Sequence, residues 1–132
     1  MGTFRNLEEA RQYFSTDNFA MENGIVIDEV TEDAAVCSMK ITPHHRNAIG
    51  GVMGGAIFTL ADLAAGVASN NRHRPTVTQQ ISMNFLDPTD GSVLIARARC
   101  RRDGKTTAVY NVDIEDDLGR SIAQCVFTGY KL

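Results

Sequence analysis

The chain has 132 residues, a size that one domain usually fills and that can bury a core without disulfide or metal staples. Its residues are 43% hydrophobic and 22% charged with a formal net charge of −3, ordinary for a globular protein and without the clustered positive charge of a nucleic-acid-binding face. No apolar run approaches the roughly 18–20 residues of a membrane span, and the opening residues, with Arg5, Glu8 and Glu9 and no long apolar stretch, read as neither a secretory signal nor a transit peptide.

Asn6, with Glu9 three places on, reads as the start of a short helix over about 6–15, with Leu7, Ala10 and Phe14 on one face. Asn23-Gly24 is a turn signal. Residues 25–31 and 34–41 read as a hairpin around Thr31-Glu32-Asp33, with Ala35, Cys37, Met39 and Ile41 on one face of the second strand. Pro43 ends that strand and a loop runs to Gly51. Residues 53–69 carry a single charge, Asp62, among Ala, Leu and Ile; they read as a buried helix of about four to five turns, closed by Asn70-Asn71 and Pro75.

Four further strands follow. Residues 76–86 alternate, which puts Val77, Gln79, Ile81, Met83 and Phe85 on one face. Residues 92–102 carry Arg97, Arg99, Arg101 and Arg102, the first three expected on one face. Asp103-Gly104 is a hairpin signal, and 106–115 and 121–130 complete the set. One buried helix amid antiparallel strands is an α+β pattern, and a helix apolar on most sides calls for a sheet that curves around it. No repeat or linker interrupts the chain, so it reads as a single domain over 1–132. Cys37, Cys100 and Cys125 are odd in number and widely spaced. They read as free core cysteines and point to the cytoplasm. His44, His45 and His73 lack the spacing of a metal site, so no metal is expected.

The stretch from Asn47 to Asn70 carries the chemistry. Glycines at 50, 51, 54 and 55 precede the helix, where backbone N–H groups lack partners and the helix end is partly positive. Such an end suits the oxyanion of an acyl-transfer intermediate; the plainer reading is a tight turn with close helix–sheet packing. Asp62 is costly to bury unless it is paired or used. It reads as a general base or nucleophile, or else as a group turned to solvent or to a basic residue on another strand. Asp62 follows Gly54 by eight residues, about 12 Å along the axis at 1.5 Å per residue. A reacting carbonyl must sit within about 3 Å of both groups, so one copy of the helix cannot serve it and at least a dimer is expected.

Asn47, Gly54-Gly55 and Leu60-Ala61-Asp62, with the later Met83–Pro88 strand end and the Gly104-Lys105-Thr106 hairpin, resemble the hot-dog thioesterases of the phenylacetate-pathway (PaaI-like) type. The resemblance spans most of the chain. It implies the hot-dog fold, a curved antiparallel sheet wrapped around one long central helix, assembled as homodimers or homotetramers with the active site shared between subunits. It implies hydrolysis of acyl-CoA thioesters with no cofactor, coenzyme A being part of the substrate. By position, Asp62 matches the catalytic acid residue, Gly54 the backbone oxyanion donor, Asn47 the residue that positions the thioester or the water, and Thr78 a hydroxyl near that water. Gly55 and Met53 flank the oxyanion donor as substrate-binding candidates. Met53 stands where the family commonly has His, and methionine neither donates a strong hydrogen bond nor shuttles a proton. Gln79, like Gln80, is a candidate for the acyl pocket, and Arg101, Arg102 and Lys105 for the CoA phosphates. The alternative, which Met53 favours, is a non-catalytic acyl-CoA binding or sensing module.

Overall fold

The computed structural model describes residues 2–132. Helix α1 (Leu7–Tyr13) starts at Asn6, whose side-chain oxygen accepts the Glu9 N–H at 2.8 Å. The reciprocal half of a capping box is not made, because the Glu9 carboxylate turns to Arg5 instead. A 3₁₀ turn (Phe14–Thr16) leads into α2 (Asn18–Glu22), a helix of five residues that is too short to show a period in the sequence. Arg74 lies over the rings of Phe4 and Tyr13, 4.6 and 5.1 Å from their centroids, and pins this N-terminal layer to the rest.

Strands β1 (Ile25–Val30) and β2 (Ala34–Lys40) form the expected hairpin, and β2 buries Ala35, Cys37 and Met39 in alternation. The central helix α3 (Gly54–Arg72) touches all six strands, and Leu60, Ala61, Ala64, Ala65 and Val67 are wholly enclosed. It runs through Asn70-Asn71 rather than stopping there. Both asparagines are buried clamps: Asn70 bonds Thr76 through N–H and C=O, while Asn71 donates to Thr31 O and accepts from Phe4 N–H. These tertiary bonds satisfy amides that would otherwise favour ending the helix.

Strands β3 (Thr76–Phe85), β4 (Val93–Asp103), β5 (Thr107–Asp116) and β6 (Ser121–Lys131) complete one antiparallel sheet of order β1-β2-β4-β5-β6-β3. Two bulges correct the face assignments read from strict alternation. Gln79 is the extra residue of β3 against β6, since Thr78 pairs with Gly129 and Gln80 with Thr128. Thr78 therefore joins Ile81, Met83 and Phe85 on the helix-facing side, while Val77 and Gln79 do not share that side. Arg101 is likewise an extra residue between Cys100 and Arg102, so it breaks the row begun by Arg97 and Arg99. Asp116 is buried and accepts from Thr89 Oγ1 at 2.6 Å and from the N–H groups of Leu118 and Arg120; the Thr89 bond leads in holding its carboxyl below the ordinary carboxylate range. The same bonds fix the loop after β3. Among the described residues no helix is long and apolar enough to cross a membrane.

Candidate active site

The β3 bulge determines what Asp62 meets. By turning Thr78 toward α3 it lets the Thr78 hydroxyl donate to Asp62 Oδ1 at 2.7 Å. Asp62 Oδ2 has no partner among the described residues, and no Lys, Arg or His pairs with the carboxylate there. Burial pushes the Asp62 pKa above the usual carboxylate range, the Thr78 bond pulls it back, and the negative charge of Asp17 pushes it further up. The buried thiols are not nucleophile candidates: burial raises Cys125, which feels the Asp62 charge, to about 11, and Cys37 to about 12.

Asp62 and Thr78 line a cleft of about 320 Å³ whose outer wall is the N-terminal layer, through Phe14, Asp17 and Phe19. Sequence reasoning missed this wall. Nothing local in Asp17-Asn18-Phe19 signals that it packs across from a residue 45 places later, because that contact exists only once α2 docks.

Gly54 belongs to a different cleft, of about 460 Å³, which it lines with Asn47, Phe85 and Pro88. The two clefts share no residue. At this end of α3 the N-cap is Met53, 57% exposed and without a side-chain cap bond. Ala56 and Ile57 N–H fold back to Met53 O, which leaves the N–H groups of Gly54 and Gly55 without a partner among the described residues. Asn47 builds the preceding loop: its Oδ1 accepts from Ile49 N–H at 3.1 Å and Gly51 N–H at 3.0 Å. Gly50 supplies the left-handed backbone the turn needs, at φ 84°. Asn47 Oδ1 is thus committed to the loop, and its amide N–H groups are the part left for a ligand.

The structure therefore brings Asp62 together with Thr78, and Asn47 with Gly54, but it does not bring the two pairs together within one chain. Gln79 is exposed at its bulge and lines neither cleft. Arg101, Arg102 and Lys105 are exposed at the β4–β5 hairpin and also line neither. That hairpin lies at the far end of α3, where Arg72 and Lys131 pair with Asp103. Among the described residues no three His, Cys, Asp or Glu side chains are grouped to hold a metal.

The two helix-start glycines differ in surroundings. A Cβ on Gly54 would stand 3.1 Å from Phe85 Cζ, whereas one on Gly55 meets nothing within 4 Å. Gly55→Ala is expected to stabilise the protein by about 0.5–1 kcal/mol through loss of unfolded-chain entropy. Gly54→Ala will gain less, because the Phe85 ring must swing outward; urea midpoints of the two variants measure the difference.

The thioesterase superfamily profile matches residues 49–123. The acyl-coenzyme A thioesterase PaaI of Escherichia coli (strain K12) is 32% identical over 117 residues, covering 88% of this chain and 84% of the relative. Human acyl-coenzyme A thioesterase 13 is 32% identical over 93 residues, 67% of this chain and 66% of the relative. Among solved structures, the Escherichia coli PaaI protein from the phenylacetic acid degradation operon superposes with a TM-score of 0.88 at 29% identity, covering 93% of this chain and 90% of that one. A hypothetical thioesterase protein from Streptococcus pneumoniae, solved with coenzyme A, superposes with a TM-score of 0.82 at 30% identity, covering 91% and 94%.

Proposed function

The chain belongs to the thioesterase superfamily and has its hot-dog fold, and on that premise we propose that it hydrolyses acyl-CoA thioesters to the free acid and coenzyme A. The observation that carries the reading is Asp62: a half-buried carboxylate with no cationic partner among the described residues, oriented by one hydroxyl at Oδ1 and lining a cleft. As a base, Asp62 Oδ2 takes a proton from water while the hydroxide adds to the thioester carbonyl. As a nucleophile, it adds to that carbonyl directly and water then cleaves the anhydride. Both routes start from the ionised carboxylate and pass through an oxyanion that the Gly54 N–H would hold. Collapse of that intermediate breaks the C–S bond and releases the CoA thiolate. In this reading Thr78 fixes Asp62 and Asn47 shapes the oxyanion loop.

The separation of the two clefts supports a site built from two copies. The sheet has two edges, β1 and β3. β1 is short, bulged at Asp28, carries Asp28 and Glu29, and is covered where Arg11 Nε donates to Ile27 O at 2.9 Å. β3 is ten residues long with no charge, an edge with none of the usual guards against pairing. α3 runs antiparallel beside it, with Gly54 next to Phe85 and Asp62 next to Thr78. Antiparallel pairing of two β3 strands about an axis near Ile81-Ser82 would set Thr78 of one copy beside Phe85 of the other. Asp62 of one copy would then face Gly54 of the other, closing two equivalent sites. In the same reading the acyl group occupies the Asp62 cleft, and CoA phosphates meet Arg101, Arg102 and Lys105 across the assembly. The three free thiols fit a reducing, cytoplasmic setting.

A free-thiol assay across short, medium, long and aromatic acyl-CoAs tests the proposal, with release of CoA from at least one class expected. The exposed, non-capping Met53 keeps one rival open. Binding of CoA with no hydrolysis of any ester would identify a binding module instead.

A further inference from the structure

His45 is a buried polar residue that lines neither cleft. It is 3% exposed and ends the 3₁₀ turn Pro43–His45. Its ring nitrogens are both engaged: Nδ1 accepts the Thr42 N–H at 3.0 Å, and Nε2 lies 3.1 Å from the Asn23 carbonyl oxygen. A backbone N–H must donate and a carbonyl must accept, so these partners select the neutral tautomer with the proton on Nε2. Its own carbonyl accepts the Met53 N–H at 2.8 Å, and Arg46 and Val52 bridge just inside that bond. The base of the Asn47–Gly51 loop is therefore closed at His45. Asn23 closes α2 at the other side, where its N–H donates to Ala20 O and its Nδ2 to Phe19 O. Phe19 and Ala20 line the Asp62 cleft. One imidazole thus joins the segment that walls the Asp62 cleft to the loop that ends at Gly54.

We propose that His45 is a positioning residue, which ties the Asn47–Gly54 loop to the end of α2 and so holds the free N–H groups of Gly54 and Gly55 at the place where the thioester oxygen binds. The need for such a tie follows from the helix end itself. Met53 provides no side-chain cap, so apart from the first turn of α3 itself the approach to the unpartnered N–H groups is set by the loop closed at His45. Hydrogen-bond donors stabilise an oxyanion when they are fixed before it forms, and a shift on the order of 1 Å costs about 10²-fold in rate. The inference rests on the reading of Gly54 as the oxyanion donor.

Two variants divide the ring's bonds. His45→Asn keeps an acceptor near the Nδ1 position, and His45→Gln keeps a donor near Nε2. Each is expected to lower kcat by about 10- to 100-fold with KM for the acyl-CoA nearly unchanged, because the loss falls on the transition state. Amide hydrogen exchange across 47–55 should speed up in both, whereas His44→Asn, at an exposed neighbour, should change neither readout. A role limited to stability would lower the melting temperature and leave kcat per folded molecule at the wild-type value, and that result overturns the proposal. If one variant does not fold, the other decides. If neither folds, ring ¹⁵N shifts of the wild type decide, and a proton on Nδ1 overturns it. Should the wild type hydrolyse no thioester, the functional reading fails by itself. Exchange at 47–55 then still tests the tie, and unchanged exchange refutes it.

Discussion

Asp62→Asn will slow thioester hydrolysis by orders of magnitude while leaving the fold and CoA binding in place. Asparagine fills the same volume and can still accept the Thr78 hydroxyl bond, so the cleft keeps its shape. It can neither take a proton from water nor attack a carbonyl. The expected loss in kcat is about 10²–10⁴-fold, the range that a positioned acid–base group supplies. Thermal unfolding of the variant will occur at or above the wild-type temperature near neutral pH. The sign follows from the raised carboxyl pKa: the ionised form is the one that burial penalises, so the penalty is present above the folded-state pKa and is relieved as pH falls through it. The same shift places the acid limb of the wild-type pH–rate profile above that of an ordinary aspartate. Asp17→Asn removes a negative charge that disfavours ionisation and will move that limb to lower pH. An acid limb indifferent to Asp17, or an Asp62→Asn enzyme with wild-type kcat, would remove Asp62 from the chemistry.

Splitting the assembly at β3 is expected to have an effect of similar size. Ser82 is exposed on the uncharged edge strand, close to the proposed two-fold axis. Ser82→Lys would bring two like charges together across that axis and return an unguarded edge to a guarded one. Sedimentation should then report monomer at concentrations where the wild type is a dimer or larger. kcat should fall by about 10²–10³-fold, the cost of losing an oxyanion donor. Complementation separates a shared site from mere destabilisation. Asp62→Asn and Gly54→Val chains are each expected to be nearly inactive alone, the second because a branched side chain against Phe85 displaces the Gly54 N–H. Mixed and re-equilibrated, they should recover about a quarter of wild-type activity, since random pairing makes half the dimers mixed and each of those holds one intact site. Activity that stays at the level of the separate variants would mean that each chain completes its own site.

Much of this arrangement was written in local pattern. Leu60, Ala61, Leu63, Ala64 and Ala65 around a lone Asp62 specify a buried helix with one costly charge, and that charge is where the cleft opens. Period-two runs gave six strands because alternation is a property of neighbours along the chain. Asn6 and the Asp103-Gly104 hairpin are short-range signals of the same kind. The separation of Gly54 from Asp62 needed nothing but helical rise, and the proposal of a second subunit rests on it.

Tertiary structure decided the rest, where the outcome depended on residues far apart in sequence. The bulge at Gln79 reflects the register of β3 against β6, and it reverses which side Thr78 faces; alternation within β3 alone predicts the opposite grouping. Asn70 and Asn71 look like a helix stop, yet bonds to Thr76, Thr31 and Phe4 keep them helical. Asp17 and His45 carry no motif. One perturbs Asp62 and the other joins two loops solely because packing sets them beside partners that no local spacing names. The sequence by itself determined the helix, the strands and the carboxylate, since each follows from the periodicity of a continuous segment. Which side chains meet that carboxylate was decided by the docking of separate segments, whose energetics are nonlocal.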